Sequence, residues 1–285
     1  MKHISVLIKP ASSLCNLRCK YCFYANISSL REVKSYGTMR PKVTKKMIEN
    51  IYKDLEDGDE LSLAFQGGEP TCAGLGYFKY LIKIVNAQEK QVKVNYSIQT
   101  NGTLIDSEWC EFLKENNFLV GLSIDGHSEA HNTYRLDDKG NQTFKRVLTS
   151  KKLFDQYEIE YNILCVLTEQ LSNDYDKVFK FLMENKIEYI QFIPCLDDLD
   201  AVEKSEFALT PEGFSRFYDG IFDQWIKELR NNHYLSIKLF DDILNLFVTN
   251  RMTACGLLGQ CSVQYVIEGD GSVFPCDFYA LDDYK

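Results

Sequence analysis

Short apolar runs alternate with stretches of helical periodicity along most of the chain. Residues 5–9, 61–66, 94–99, 119–124, 160–167 and 189–193 have the length and the β-branched or aromatic character of strands. Between them, residues 42–56, 77–88, 107–116, 142–156 and 175–185 place apolar side chains at helical spacing, and residues 211–230 follow in the same pattern. This alternation predicts an α/β fold with a parallel sheet and right-handed crossovers. Six such units close only part of a barrel, because a complete one needs more strands.

Each predicted strand runs out into a polar or glycine-containing segment: Pro10-Ala11-Ser12-Ser13, Gln66-Gly67-Gly68-Glu69-Pro70, Gln99-Thr100-Asn101-Gly102 and Ser123-Ile124-Asp125-Gly126. Parallel α/β folds gather ligands and catalytic groups at the carboxyl ends of their strands, so one cavity lined by these segments is expected. From about Leu235 the alternation breaks. Residues 1–234 are expected to form the partial barrel and residues 235–285 a small separate module.

The composition narrows the partners. A net charge of −9 argues against a nucleic-acid-binding surface, which needs clustered Lys and Arg. The apolar runs are strand-sized and the N-terminal one is too short for a secretion signal, so no membrane partner and a cytoplasmic location are expected. In that reducing compartment the ten cysteines are not a disulfide framework, and metal binding or catalysis becomes the leading reading. Six of them form two groups, Cys15/Cys19/Cys22 and Cys255/Cys261/Cys276. Cys72, Cys110, Cys165 and Cys195 are scattered and read as small buried hydrophobes.

In the first group, thiolates three and two residues apart can converge on one centre from a single loop. An iron–sulfur cube held by three of them keeps one iron open, whereas zinc wants a fourth ligand to close its tetrahedron. Structural cysteines, or zinc completed from a distance, are the alternatives. The second group has looser spacing, and cluster, zinc and structural cysteines all remain open there. Asp277, directly after Cys276, is either a turn aspartate bonded to its own backbone or a general base. His127 and His131 read as structural or solvent-facing, and Asp197-Asp198-Leu199-Asp200 as a solvated loop.

Cys15-x₃-Cys19-x-Tyr21-Cys22 after a first strand resembles the radical S-adenosylmethionine (AdoMet) superfamily. Gly67-Gly68-Glu69 matches the segment that meets the methionyl amino group in that superfamily. The blocks Ile8-Lys9-Pro10-Ala11-Ser12-Ser13, Cys22-Phe23-Tyr24, Phe65-Gln66-Gly67-Gly68-Glu69-Pro70-Thr71, Gln99-Thr100-Asn101-Gly102-Thr103-Leu104, Gly121-Leu122-Ser123-Ile124-Asp125-Gly126 and Gly271-Ser272-Val273-Phe274-Pro275-Cys276-Asp277-Phe278-Tyr279, with His131-Asn132 and Arg135, resemble more narrowly the anaerobic sulfatase-maturating enzymes.

The resemblance implies a partial (β/α)6 radical SAM barrel with a small C-terminal iron–sulfur module of the SPASM type. It implies a [4Fe–4S] cluster on Cys15, Cys19 and Cys22, AdoMet contacts at Tyr21, Gly68, Ser123, Arg135 and Leu196, and an auxiliary [4Fe–4S] cluster on Cys255, Cys261 and Cys276. The implied reaction is oxidation of a peptidyl cysteine or serine of a sulfatase, within Cys/Ser-x-Pro-x-Arg, to Cα-formylglycine, with Asp277 as base and an electron donor as partner. The family's pattern has later cysteines that complete the auxiliary clusters, and this sequence stops at Lys285, which reads as a truncated form or fragment. Two rival readings are another radical SAM peptide maturase, such as a thioether-forming one, and a non-catalytic zinc-binding module.

Overall fold

The computed structural model describes residues 1–250, 254–255, 259, 261 and 263–285. Strands β1 (His3–Ile8), β2 (Glu60–Phe65), β3 (Lys93–Thr100), β4 (Phe118–Ser123), β5 (Tyr161–Leu167) and β6 (Tyr189–Pro194) stand side by side in chain order, each parallel to the next. These are the six expected strands, displaced by a residue or two at their ends. Helices α2 (Pro41–Lys53), α3 (Leu75–Asn86), α4 (Ser107–Glu115), α6 (Phe144–Gln156), α7 (Tyr175–Glu184) and α8 (Pro211–Arg230) fill the expected places.

Local chemistry explains these boundaries. The α3 stripe Tyr77, Phe78, Leu81, Ile82 and Val85 is buried, which is the helical spacing that the sequence displays. The Asp106 carboxylate caps α4 by accepting from the Trp109 N–H, and the Thr210 hydroxyl caps α8 at Gly213 with Pro211 in the first turn. Phe65, Phe78 and Phe118 pack ring to ring between sheet and helices. Each fully buried side chain of this kind contributes roughly 1.5–3 kcal/mol.

Three helices escaped the sequence pattern: α1 (Phe23–Ser29), α5 (Ser128–Tyr134) and α9 (Lys238–Thr249). The first two have only seven residues, too few for a periodicity to emerge. The chain after Leu235 flanks the sheet at both edges. Strand β7 (Ser236–Ile237) pairs with β6, while β8 (Tyr265–Ile267) pairs parallel to β1 and turns antiparallel into β9 (Val273–Phe274). The order among the described residues is β7-β6-β5-β4-β3-β2-β1-β8-β9, an open sheet and not a closed barrel. Residues 265–274 therefore bring the segment around Asp277 against the first strand of the barrel.

Candidate active site

The cysteine loop lies between β1 and α1, at the carboxyl edge of the sheet. Cys15, Cys19 and Cys22 are half-buried and free of disulfides, and Cys15 lies close enough to the other two for their charges to bear on it. Burial pushes the Cys15 thiol up to about 12 and the Cys19 thiol up to about 11, so without a bound cation neither is a thiolate at neutral pH. Nitrogen donors face the Cys15 sulfur, with Leu17 N at 3.4 Å and Asn101 Nδ2 at 3.9 Å. Among the described residues, no three His, Cys, Asp or Glu side chains converge on a position for a single ion.

Two glycines set the approach of the next loop. At Gly68 the backbone lies at φ +53, and an added Cβ would stand 2.4 Å from the Leu14 carbonyl oxygen and 2.8 Å from that of Ser12. Only a glycine lets this turn touch the loop that carries Cys15. Glu69 N–H then donates to the Leu14 carbonyl at 2.8 Å. The Glu69 carboxylate is buried and accepts from Thr71 N, Thr71 Oγ1, Thr100 Oγ1 and Asn101 N at 2.6–3.0 Å. One carboxylate thus ties the end of β2 to the end of β3, and Asn101 reaches from there to Cys15.

A second buried carboxylate follows β4. Asp125 accepts from Arg135 Nε at 2.8 Å and Nη2 at 3.1 Å, from Val166 N at 2.9 Å and from the Tyr21 hydroxyl. Burial pushes its carboxyl up, but the Arg135 charge and these hydrogen bonds outweigh that and hold it below the usual carboxylate range. The Arg135 charge also bears on Cys19 and opposes the upward push of burial on its thiol. Ser123 is buried at the end of β4, and Leu196, two residues beyond β6, is 61% exposed.

The third carboxylate comes from the C-terminal segment. Asp277 Oδ2 accepts from the Tyr24 hydroxyl at 2.8 Å and from Gln66 Nε2 at 3.2 Å, and its Oδ1 lies 2.7 Å from Lys9 Nζ. Tyr24 and Gln66 also bond each other. The ends of β1 and β2, the first turn of α1 and the short helical turn Asp277–Tyr279 therefore meet at one point, with Tyr24 two residues from Cys22.

Residues 10–182 match the radical SAM superfamily. Along its whole length the chain is 44% identical to the cysteine-type anaerobic sulfatase-maturating enzyme of Clostridium novyi (strain NT), covering 76% of that relative. The chain belongs to the anaerobic sulfatase-maturating enzymes. It is 28% identical to a serine-type member from Bacteroides thetaiotaomicron over 72% of that relative. A solved structure described as native anSMEcpe with bound AdoMet and Cp18Cys peptide superposes with a TM-score of 0.93 at 43% identity, over 99% of this chain and 76% of that one. Radical SAM members use a [4Fe–4S] cluster and AdoMet.

The donor set at Cys15, Cys19 and Cys22 fits such a cluster: three thiols on one short loop, with N–H donors aimed at one of them to support a thiolate. In a sulfatase-maturating chain the expected AdoMet contacts come together only in part. Tyr21, Arg135 and Cys19 form one cluster, with the Arg135 guanidinium 5.6 Å from the Tyr21 ring centroid. Two nitrogens of Arg135 are already committed to Asp125, a partner that the sequence did not indicate and that a buried guanidinium requires. Cys255, Cys261 and Cys276 line one cavity of about 1550 Å³ along the β1–β8 edge, with Arg40, Lys42 and Lys46 on its wall.

Other expectations turn out differently in detail. His131 is fully buried and structural, not solvent-facing, and His127 pairs with Asp174 at 3.3 Å. The acidic loop is anchored: Asp197 accepts from the Ser205 N–H and hydroxyl, and Asp200 from Asn26 of α1. Cys110, Cys165 and Cys195 are buried as expected, and Cys72 is half-buried. Sequence reasoning assigned no individual role to Lys9, Tyr24, Gln66 or Asp125, and took Glu69 only as part of Gly67-Gly68-Glu69. For Lys9 and Gln66 the signal available was a charged or amide side chain placed directly after an apolar strand; the other three carried no such signal.

Proposed function

We propose that this chain oxidises a cysteine side chain of a sulfatase polypeptide, within Cys-x-Pro-x-Arg, to Cα-formylglycine, with serine as the lesser substrate. The observation that carries this reading is Asp277, held by Lys9, Tyr24 and Gln66 close to the cysteine loop. Greater identity to the cysteine-type relative than to the serine-type one supports the choice of side chain.

In this reading Cys15, Cys19 and Cys22 hold the cluster, and Tyr21, Gly68, Ser123, Arg135 and Leu196 surround AdoMet. Bound there, AdoMet supplies one-electron chemistry able to take a hydrogen atom from an unactivated carbon. The chain's own task is to place the peptide Cβ, keep water out and remove the thiol proton. Asp277 takes that proton as general base, and Tyr24 and Gln66 hold the carboxylate oxygen that receives it. Cys255, Cys261 and Cys276 would hold an auxiliary cluster, whose chemistry is electron transfer. No cysteine follows Cys276 in this sequence, so a fourth thiolate is not among residues 277–285. Residues 1–234 carry the radical chemistry in this scheme and residues 235–285 begin the auxiliary module.

The expected partners are the sulfatase polypeptide and an electron donor, without nucleic acid, in the cytoplasm. Among the described residues no helix is long and apolar enough to cross a membrane. The test is anaerobic incubation of the cluster-loaded protein with AdoMet, a reductant and a Cys-x-Pro-x-Arg peptide, read by mass spectrometry. Replacement of the sulfur by an aldehyde oxygen supports the reading. A thioether crosslink would move the chain to the other peptide maturases, and zinc without iron or sulfide would remove it from enzymes of this kind.

A further inference from the structure

Four charged side chains meet in the interior behind Asp277. Lys9 is 3% exposed, Glu268 0%, Arg31 5% and Asp277 8%. Lys9 Nζ lies 2.7 Å from Asp277 Oδ1 and 3.7 Å from Glu268 Oε1, and Arg31 Nη1 lies 2.6 Å from that same Glu268 oxygen. Two cations and two carboxylates balance. Arg31 and Glu268 form the closer pair at one end, which leaves Lys9 directed at Asp277. The Lys9 ammonium also sits 5.1 Å from the centroid of the Tyr24 ring.

The stem of Lys9 is fixed from below. At Gly67 the backbone stands at φ +88, and an added Cβ would lie 2.7 Å from Lys9 Cγ and 2.8 Å from Cδ. The first glycine of Gly67-Gly68-Glu69 thus gives passage to the methylenes of Lys9, a use distinct from the approach that Gly68 makes to the cysteine loop. One side chain from the end of β1 crosses under the AdoMet-side turn and ends on the carboxylate of the C-terminal segment.

We infer that Lys9 is the positioning residue for Asp277: its ammonium pins Oδ1 so that Oδ2, with Tyr24 and Gln66, faces the peptide. This rests on the reading of Asp277 as the base. Without the ammonium, Oδ1 loses the 2.7 Å contact that fixes it, and the carboxylate is free to turn so that Oδ2 no longer faces the substrate.

Lys9→Met tests this, because the unbranched stem over Gly67 is kept and only the charge is removed. The cluster-loaded protein is assayed for 5′-deoxyadenosine and formylglycine together. General-base assistance is worth about 10²–10⁴-fold, so formylglycine kcat should fall at least about tenfold while AdoMet cleavage continues and peptide KM stays within about threefold. The number of AdoMet molecules cleaved per product then rises, and Lys9→Arg restores part of the coupling. An unchanged ratio in Lys9→Met overturns the assignment.

Glu268→Gln separates positioning from packing. It unbalances the same charge cluster and should lower the melting temperature, but Lys9 then has Asp277 as its one carboxylate and coupling stays within about twofold. Uncoupling in Glu268→Gln as severe as in Asp277→Asn overturns the assignment even if Lys9→Met does not fold. Asp277→Asn is the reference. If it retains normal coupling, the base reading itself fails; if it uncouples while Lys9→Met does not, only Lys9 is wrongly placed.

Discussion

His131 should make this protein acid-sensitive by an amount that the structure allows to be worked out. The imidazole is wholly buried. Its Nδ1 accepts from the Asp125 N–H at 3.3 Å, so Nε2 carries the hydrogen and faces Thr143 Oγ1 at 3.0 Å. The Thr143 hydroxyl in turn donates to the Arg135 carbonyl at 2.7 Å. Burial drives the imidazole from 6.5 down to about 4; the Asp125 charge opposes this and the Arg135 charge assists it. The unfolded chain therefore binds a proton between pH 6.5 and 4 that the folded chain refuses, and stability falls as pH falls through that window. Between pH 7 and pH 5 the loss is about 2 kcal/mol from this group alone. Denaturant unfolding of wild type and His131→Asn across that range under anaerobic conditions reads it directly, because asparagine keeps an acceptor for Asp125 N–H and cannot titrate. The wild-type curve should fall about 2 kcal/mol further than the variant's. Parallel curves would refute the burial argument.

Three other perturbations test the site. Asp125→Asn leaves Arg135 buried without its carboxylate, a change that costs about 3–5 kcal/mol and lowers the melting temperature by roughly 6–15 °C; a shift under 2 °C, by the same reasoning, would mean that the pair is solvated in solution. Gly68→Ala forces a Cβ to within 2.4 Å of the Leu14 carbonyl at a positive φ, so AdoMet affinity by calorimetry should weaken at least about tenfold. Gly76→Ala, with open space around it, is the control. Cys19→Ala should lower bound iron and abolish 5′-deoxyadenosine formation, and retention of both would exclude the Cys15 loop as the cluster site.

The six parallel strands and their helices were legible because β4 and β5 leave nearly continuous apolar runs, β2 and β6 alternate apolar with polar positions, and each helix has a stripe, as Tyr77 to Val85 does. The edges of the sheet were not. Strands β7 and β9 have two residues each and β8 three, so their pairing is decided by the neighbour that they dock on and not by any pattern of their own. Within the site, cysteines and glycines announce themselves by spacing, whereas Glu69 and Asp125 do not. Nothing local distinguishes Asp125 from a turn aspartate such as Asp137, whose Oδ1 accepts from its own loop at Lys139 and Asn141 and whose Oδ2 meets the half-exposed Arg146 at 3.3 Å. The difference lies ten residues away at Arg135 and 41 away at Val166.

On the proposed reading of Asp277 as the base, what each carboxylate touches separates its task from that of the other two beside this site. Glu69 spends its oxygens on two backbone N–H groups and two hydroxyls, and protonating it would cost the join between β2 and β3. Asp125 is clamped in two-point contact by Arg135, which keeps it ionised and makes it a poor base. Asp277 differs in its partners: one ammonium at Oδ1, and on Oδ2 a phenol and an amide, both neutral donors. It also rides on a short turn at the edge of the sheet, joined to the barrel through β8 and β9 and not through a long strand. In the proposed reading Asp277 meets the peptide from this turn, while Glu69 ties the ends of β2 and β3 together and Asp125 holds Arg135.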